Sequence, residues 1–184
     1  MVDLLSLQKY FILRHLGEGC RACDFTMGNG HDTAFLSQTV GKTGSVTAFD
    51  IQPKALESTA KNLREWGCPE NWHLICQSHH LAPQYVKEPI KAGMFNLGYM
   101  PGSGNKALTT MRETTLPAVE NALSLLDKDS ILMVAVYPGH PEGRLEGEEL
   151  QKYFSTLSRY KLCIAKFEML NSPDSPYFMI AETK

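Results

Sequence analysis

Asp24, Gly28, Gly30 and Asp50 are the residues whose types and spacing point to chemistry. Glycines at 28 and 30 carry no Cβ, so the backbone turns tightly there and a ligand can approach it closely. Ala34 to Val40 is of helix length, and a helix opening at this turn presents N–H groups to the same ligand. The turn reads Gly-x-Gly-x-x-Thr, short of the full dinucleotide fingerprint, so alone it also fits an ordinary strand-to-helix turn. Asp50 lies about 20 residues beyond Gly30, at the end of Ser45–Phe49, where an acid can hold both ribose hydroxyls of an adenosine. It can equally cap the next helix, whose Pro53 suits a first turn. Turn and acid together favour adenosine binding.

The elements that must position these residues follow from hydrophobic spacing. Leu4, Leu7, Phe11 and Leu13 predict an N-terminal helix over residues 3–16, stopped by Gly17 and Gly19. Cys20–Cys23 reads as a short strand, 31–40 as a helix, 45–50 as a strand and 53–66 as a helix ended by Gly67. Residues 72–76 form a third strand whose end sets Ser78 and His79 beside Asp50. Residues 92–96 form a fourth, running into a Gly-rich loop with Asn96 and Tyr99. A helix near 115–126, a buried strand over 131–137 and a helix over 144–158 come next. Strands at 162–167 and 177–181 are joined by a Pro-rich linker too short for a crossover, so they should be antiparallel. The expected fold is therefore α/β and Rossmann-like, a mostly parallel seven-stranded sheet with an antiparallel last strand and helices on both faces. Residues 1–184 are expected to form one domain, with 1–17 packed on it.

Composition narrows the classes. A net charge of −2 and a pI of about 6.3 leave no global basic footprint and argue against a non-specific nucleic-acid binder. No run approaches a membrane span, and Asp3 with no long apolar stretch speaks against a signal peptide. Five cysteines, an odd number without framework spacing, suit a reducing cytoplasm. Cys20-x-x-Cys23 has no second pair and lies in a strand, so it reads as core rather than as a zinc or redox site. His79-His80 lacks a carboxylate cluster, and no metal is expected.

The stretches Asp24–Thr33, Ala48–Gln52, Ser78-His79, Phe95–Gly102 and Val136–Pro141 together resemble the rRNA methylase family known as YtqB/MnmM-like, a group of class I S-adenosylmethionine-dependent methyltransferases. The resemblance runs from Cys20 to Glu182; Phe25 and Met27 depart from it, standing where the family usually has alanine. It implies N-methylation of the 5-aminomethyl group of 5-aminomethyl-2-thiouridine at the tRNA wobble position, with S-adenosyl-L-methionine as cofactor. The partner implied is the anticodon stem-loop of tRNA, and a homodimer is compatible with the family.

The resemblance also implies residue roles. Asn29 and Asp32 would meet the methionine end of the cofactor, Asp50 and Gln52 the ribose, and Ser78 and His79 the adenine. Asp24, with Thr26, Gly28 and Gly30, would shape the loop or hold the cofactor's amine. Asn96 would accept a hydrogen bond from the target amine, Tyr99 would stack on the base, and His140 would take the proton. Tyr137 and His140 would touch substrate, with loop packing as their plain alternative, and Lys106, Arg112 and Arg144 are candidate phosphate contacts. Three rivals stand beside this reading: the same fold acting on rRNA or a small amine, a non-catalytic cofactor- or RNA-binding module, and a nicotinamide oxidoreductase. The last predicts a third glycine where this chain has Thr33.

Overall fold

The structure is a computed structural model and describes residues 3–98 and 112–184, with backbone only at Arg112. Its centre is a seven-stranded sheet built from β1 (Arg21–Asp24), β2 (Ser45–Asp50), β3 (Trp72–Cys76), β4 (Ile90–Asn96), β5 (Leu126–Val136), β6 (Leu162–Phe167) and β7 (Tyr177–Thr183). The strand order is β3-β2-β1-β4-β5-β7-β6. β1 to β5 run parallel to one another, while β7 runs antiparallel to both β5 and β6. That is the arrangement expected from the short linker at 168–176. Chain order reverses direction across the sheet between β1 and β4, the place where open α/β sheets bind ligands at their carboxyl edge.

Alternation along the central strands separates two cores. On β5, Leu132, Val134 and Val136 pack on one face with Phe25, Phe95, Ala118 and Phe154. Ile131, Met133 and Ala135 face the other side, with Ile12, Leu36, Val40 and Phe178. Helices α4 (Arg112–Ser124) and α5 (Pro141–Thr156) cover the first face; α1 (Leu4–Leu13) and α2 (His31–Val40) cover the second. A strand buried on both faces must be apolar at every position, which is why 131–136 is the most hydrophobic run in the chain. Helix α3 (Pro53–Glu65) closes a smaller cluster of Met27, Ala48 and Ala55.

Several boundaries differ from the sequence reading, each for a local reason. α1 stops at Leu13, before either glycine, because Arg14 N–H already closes the last turn onto Ile12 and Phe11 carbonyls. β4 begins at Ile90, where it pairs with Leu126, and a register irregularity between Ile90 and Ala92 lets β5 start five residues early. α5 begins at Pro141 rather than 144: Pro141 takes the first helical position, and His140 caps the helix by accepting the Gly143 N–H at 3.0 Å.

The departures at 25 and 27 turn inward. Phe25 is buried and stacks on Phe95 with ring centroids 4.3 Å apart, and Met27 is buried beside α3. Gly93 makes room for Phe25: a Cβ there would sit 2.9 Å from Phe25 Cε2 and 2.8 Å from Leu132 Cδ1. Cys23 lies in the core with a thiol pushed well up by burial, and all five cysteines are free. Among the described residues no cluster of three or more His, Cys, Asp or Glu could hold a metal, and no helix is long and apolar enough to cross a membrane.

Candidate active site

Four strand ends converge. Asp24 closes β1, Asp50 closes β2, Asn96 closes β4 and Tyr137 follows β5, all at the carboxyl edge of parallel neighbours. The glycine turn lies between them, with Gly28 at φ +51° and Gly30 at φ +84°. At Gly30 the requirement is double. A side chain would be strained at that φ, and its Cβ would stand 2.8 Å from Thr59 Cγ2.

Hydrogen bonds organise the turn around the acids. Asp24 is buried, and its Oδ1 accepts the Thr26 N–H at 3.0 Å while Oδ2 accepts the Thr33 hydroxyl at 2.6 Å. Asp50 is not a helix cap, since Gln52 occupies that place at the start of α3. Asp50 instead joins the two loops, accepting the Gly28 N–H at 3.1 Å and the Gln52 N–H at 2.9 Å, one on each oxygen. A carboxylate oxygen accepts more than one hydrogen bond, so both oxygens keep acceptor capacity for a ribose diol. Asn29 is tied to α3: its Oδ1 accepts from Ser58 Oγ at 3.1 Å and its carbonyl from Asn62 Nδ2 at 3.0 Å.

Asn96 is held at both ends. Its N–H donates to Thr26 Oγ1 at 2.7 Å, and its side-chain Nδ2 donates to Asp32 Oδ2. Its Oδ1 accepts from the Tyr137 hydroxyl at 3.4 Å, and Tyr137 reaches the surface with 39% of its area exposed.

The electrostatics of this edge are anionic. Burial pushes the Asp24 carboxyl up to about 7, and the neighbouring charges of Asp32 and Asp50 add to the shift against the opposing Thr33 and Thr26 hydrogen bonds. Burial also raises Asp32 and Asp50; Lys9, from α1, is the largest influence pulling Asp32 down. Tyr137 is raised by burial and by Asp32. Three carboxylates held this close disfavour their own charge and favour a cationic ligand. That property, with the tight glycine turn and the unspent acceptor capacity of Asp50, fits a sulfonium cofactor carrying an adenosine.

The remaining expected residues fall in different places. Thr26 acts as the link between Asp24 and Asn96. Ser78 Oγ pairs with His80 Nδ1 at 2.9 Å at the start of a 3-10 turn over His79–Gln84. His79 is sunk into the core: Nδ1 donates to the Phe25 carbonyl at 3.2 Å, the ring meets Phe95 edge-on, and burial lowers its pKa to about 4, so it is neutral. His140 Nδ1 is committed as an acceptor to the α5 cap, so in the neutral ring the proton sits on Nε2. Arg144 is paired with Asp174 at 3.1 Å. Tyr99 and Lys106 lie outside the described residues, as does the side chain of Arg112.

Sequence reasoning missed the residues behind the turn. Thr33 supports Asp24, and Thr59 donates to the Gly28 carbonyl at 3.1 Å. Their signal was available: Thr59 sits between Ala55 and Leu63 on one helical stripe, a polar residue on a buried face. Lys9 gave no such signal, because its role depends on where α1 packs.

The family model described as "Putative rRNA methylase" matches residues 46–182. The "tRNA (mnm(5)s(2)U34)-methyltransferase, chloroplastic" of Arabidopsis thaliana is 37% identical over 172 residues, covering 86% of this chain and 61% of that protein. The chain thus spans about three fifths of the length of that relative. A crystal structure from Clostridium thermocellum, of the same description as the family, is 34% identical with a TM-score of 0.96, covering 100% of this chain and 99% of that one. SMU.1697c from Streptococcus mutans, crystallised with SAH, is 31% identical with a TM-score of 0.90 over 100% and 99% of the two chains.

Proposed function

The chain belongs to the Putative rRNA methylase family and has the class I methyltransferase fold, and on that basis we propose that it is an S-adenosylmethionine-dependent methyltransferase that N-methylates the 5-aminomethyl group of 5-aminomethyl-2-thiouridine at the tRNA wobble position. The observation that carries the reading is Asn96: a carboxamide at the end of β4, pinned from behind by Asp32, with its oxygen turned to the exposed Tyr137 side. The likeness over 172 residues to a plant protein named for this tRNA reaction supports the choice of substrate.

When bound, the cofactor supplies an electrophilic methyl group on a sulfonium. The chain's own residues do the rest. Asp24, Asp32 and Asp50 shape an edge that favours a cation, and the Gly28–Gly30 turn packs closely on Thr59 of α3 with the Gly28 N–H held by Asp50. Asp50 receives the ribose, with Gln52 beside it. Asn96 Oδ1 takes the place of solvent as acceptor for an amine N–H and aims the nitrogen lone pair, a positioning contribution. An aminomethyl group is largely an ammonium at neutral pH, so one proton must leave before attack. The anionic edge at Asp32 favours holding that ammonium beforehand, and the Tyr137 side is open for the proton to reach water. His140 caps α5 in this scheme. The reading carries with it a cytoplasmic location and is compatible with a homodimer, which light scattering would detect.

The test is mass spectrometry of wobble nucleosides from tRNA of a strain lacking this protein, complemented with wild type or Asn96→Ala. Accumulation of 5-aminomethyl-2-thiouridine, reversed by wild type and not by the variant, is the expected result. An unchanged profile would move the acceptor to rRNA or a small amine, a reading compatible with the net charge of −2.

A further inference from the structure

We propose that Asp32 is a positioning residue for Asn96, fixing which face of its carboxamide meets the substrate, so that the site selects an N–H donor as the methyl acceptor. The proposal rests on the methyltransferase reading above and assigns Asp32 a task beyond contact with the cofactor.

The amide orientation is dictated by chemistry. An ionised Asp32 only accepts, so the group facing it must be Asn96 Nδ2, which donates to Asp32 Oδ2. The Asn96 oxygen must then point the opposite way. There it accepts from the Tyr137 hydroxyl at 3.4 Å, a long bond to a partly exposed partner. Thr26 removes the remaining freedom by accepting the Asn96 N–H at 2.7 Å. Backbone and side chain of Asn96 are therefore both tied to the β1–α2 segment, although the residue belongs to β4. Without Asp32 the carboxamide could turn over and present Nδ2, a donor, to the substrate. A donor facing an amine N–H repels it, whereas the oxygen accepts it. The bond to a carboxylate also polarises the carboxamide and strengthens its oxygen as an acceptor. The Tyr137 hydroxyl holds the position that the incoming N–H would take, so a substrate group that cannot donate gains nothing by displacing it.

Two variants separate this task from the charge that Asp32 offers a cationic cofactor. Asp32→Asn and Asp32→Ala both remove the charge, but only the asparagine keeps an acceptor for Asn96 Nδ2. With saturating cofactor and tRNA carrying the 5-aminomethyl group, Asp32→Ala should lower kcat on the order of 10²-fold, and Asp32→Asn should recover most of that loss. The double variant Asp32→Ala/Asn96→Ala should be no slower than Asn96→Ala alone, because the two residues act as a unit. In the substrate-free protein, the Asn96 side-chain amide resonances should shift in Asp32→Ala and stay near wild type in Asp32→Asn. Equal kcat losses in the two Asp32 variants, or multiplicative losses in the double variant, would overturn the proposal. Should wild type itself leave this tRNA unmethylated, the function reading fails, and the amide resonances alone decide whether Asp32 orients Asn96.

Discussion

Replacing Asp24 with asparagine should make the ligand-free protein more stable at neutral pH while weakening its hold on a cationic cofactor. Asp24 is buried, and its carboxyl rises from 3.8 to about 7 through burial and the Asp32 charge. The folded chain therefore holds a proton that the unfolded chain has released. Stability contributed by this group is intact below about pH 4, falls as pH rises, and levels off above about 7. At about 1.4 kcal/mol for each tenfold change in proton affinity, the rise from 3.8 to about 7 corresponds to a loss of about 4 kcal/mol across that window. Asparagine fits the same space: its oxygen can still accept the Thr26 N–H, and its amide can donate to the Thr33 hydroxyl. The variant should thus gain up to about 4 kcal/mol over wild type at pH 8, a Tm rise of roughly 10 °C at this chain length. The difference should shrink toward zero near pH 4. Thermal melts of both proteins from pH 4 to 8 measure this directly. A constant Tm difference across the range, or a variant less stable at pH 8, would refute the electrostatic argument. In the same melts at pH 8, S-adenosylmethionine should raise the Tm of wild type more than that of the variant.

Other substitutions probe the remaining supports. Asp50→Ala strips the acceptor from the Gly28 and Gln52 N–H groups; it should cost about 1–3 kcal/mol in urea melts and abolish the stabilisation of about 2.7 kcal/mol that cofactor at 100 times its Kd produces. Gly93→Ala should cost about 1–3 kcal/mol by crowding Phe25 and Leu132, and Phe25→Leu in the same chain should recover part of it; strictly additive costs in a double-mutant cycle would contradict the packing account. His140→Ala should lose about 1 kcal/mol of stability as the α5 cap disappears, whereas His140→Asn, which can still cap, should keep both stability and kcat. A steep fall in kcat for His140→Asn would restore that histidine as the proton acceptor.

Much of this protein was legible in its residues alone. Helix 31–40 and strands 45–50, 72–76 and 162–167 fall where their spacing predicts, because a half-buried helix or strand writes its own period into the chain. The reversed β7 followed from linker length, and the glycine turn with Asp24 and Asp50 followed from residue type. What the tertiary structure decided were the partners. His79 and His140 look alike as loop histidines in sequence, yet one is sunk against Phe95 and the other caps α5. Phe25 stands where the family usually has alanine, and Gly93, on a neighbouring strand, leaves it the space. The link from Asp32 to Asn96 joins residues 64 positions apart. Local spacing encodes which face of an element is buried; which side chains meet across that face is set only when separate elements pack, and a hydrogen bond or a shifted pKa depends on that meeting.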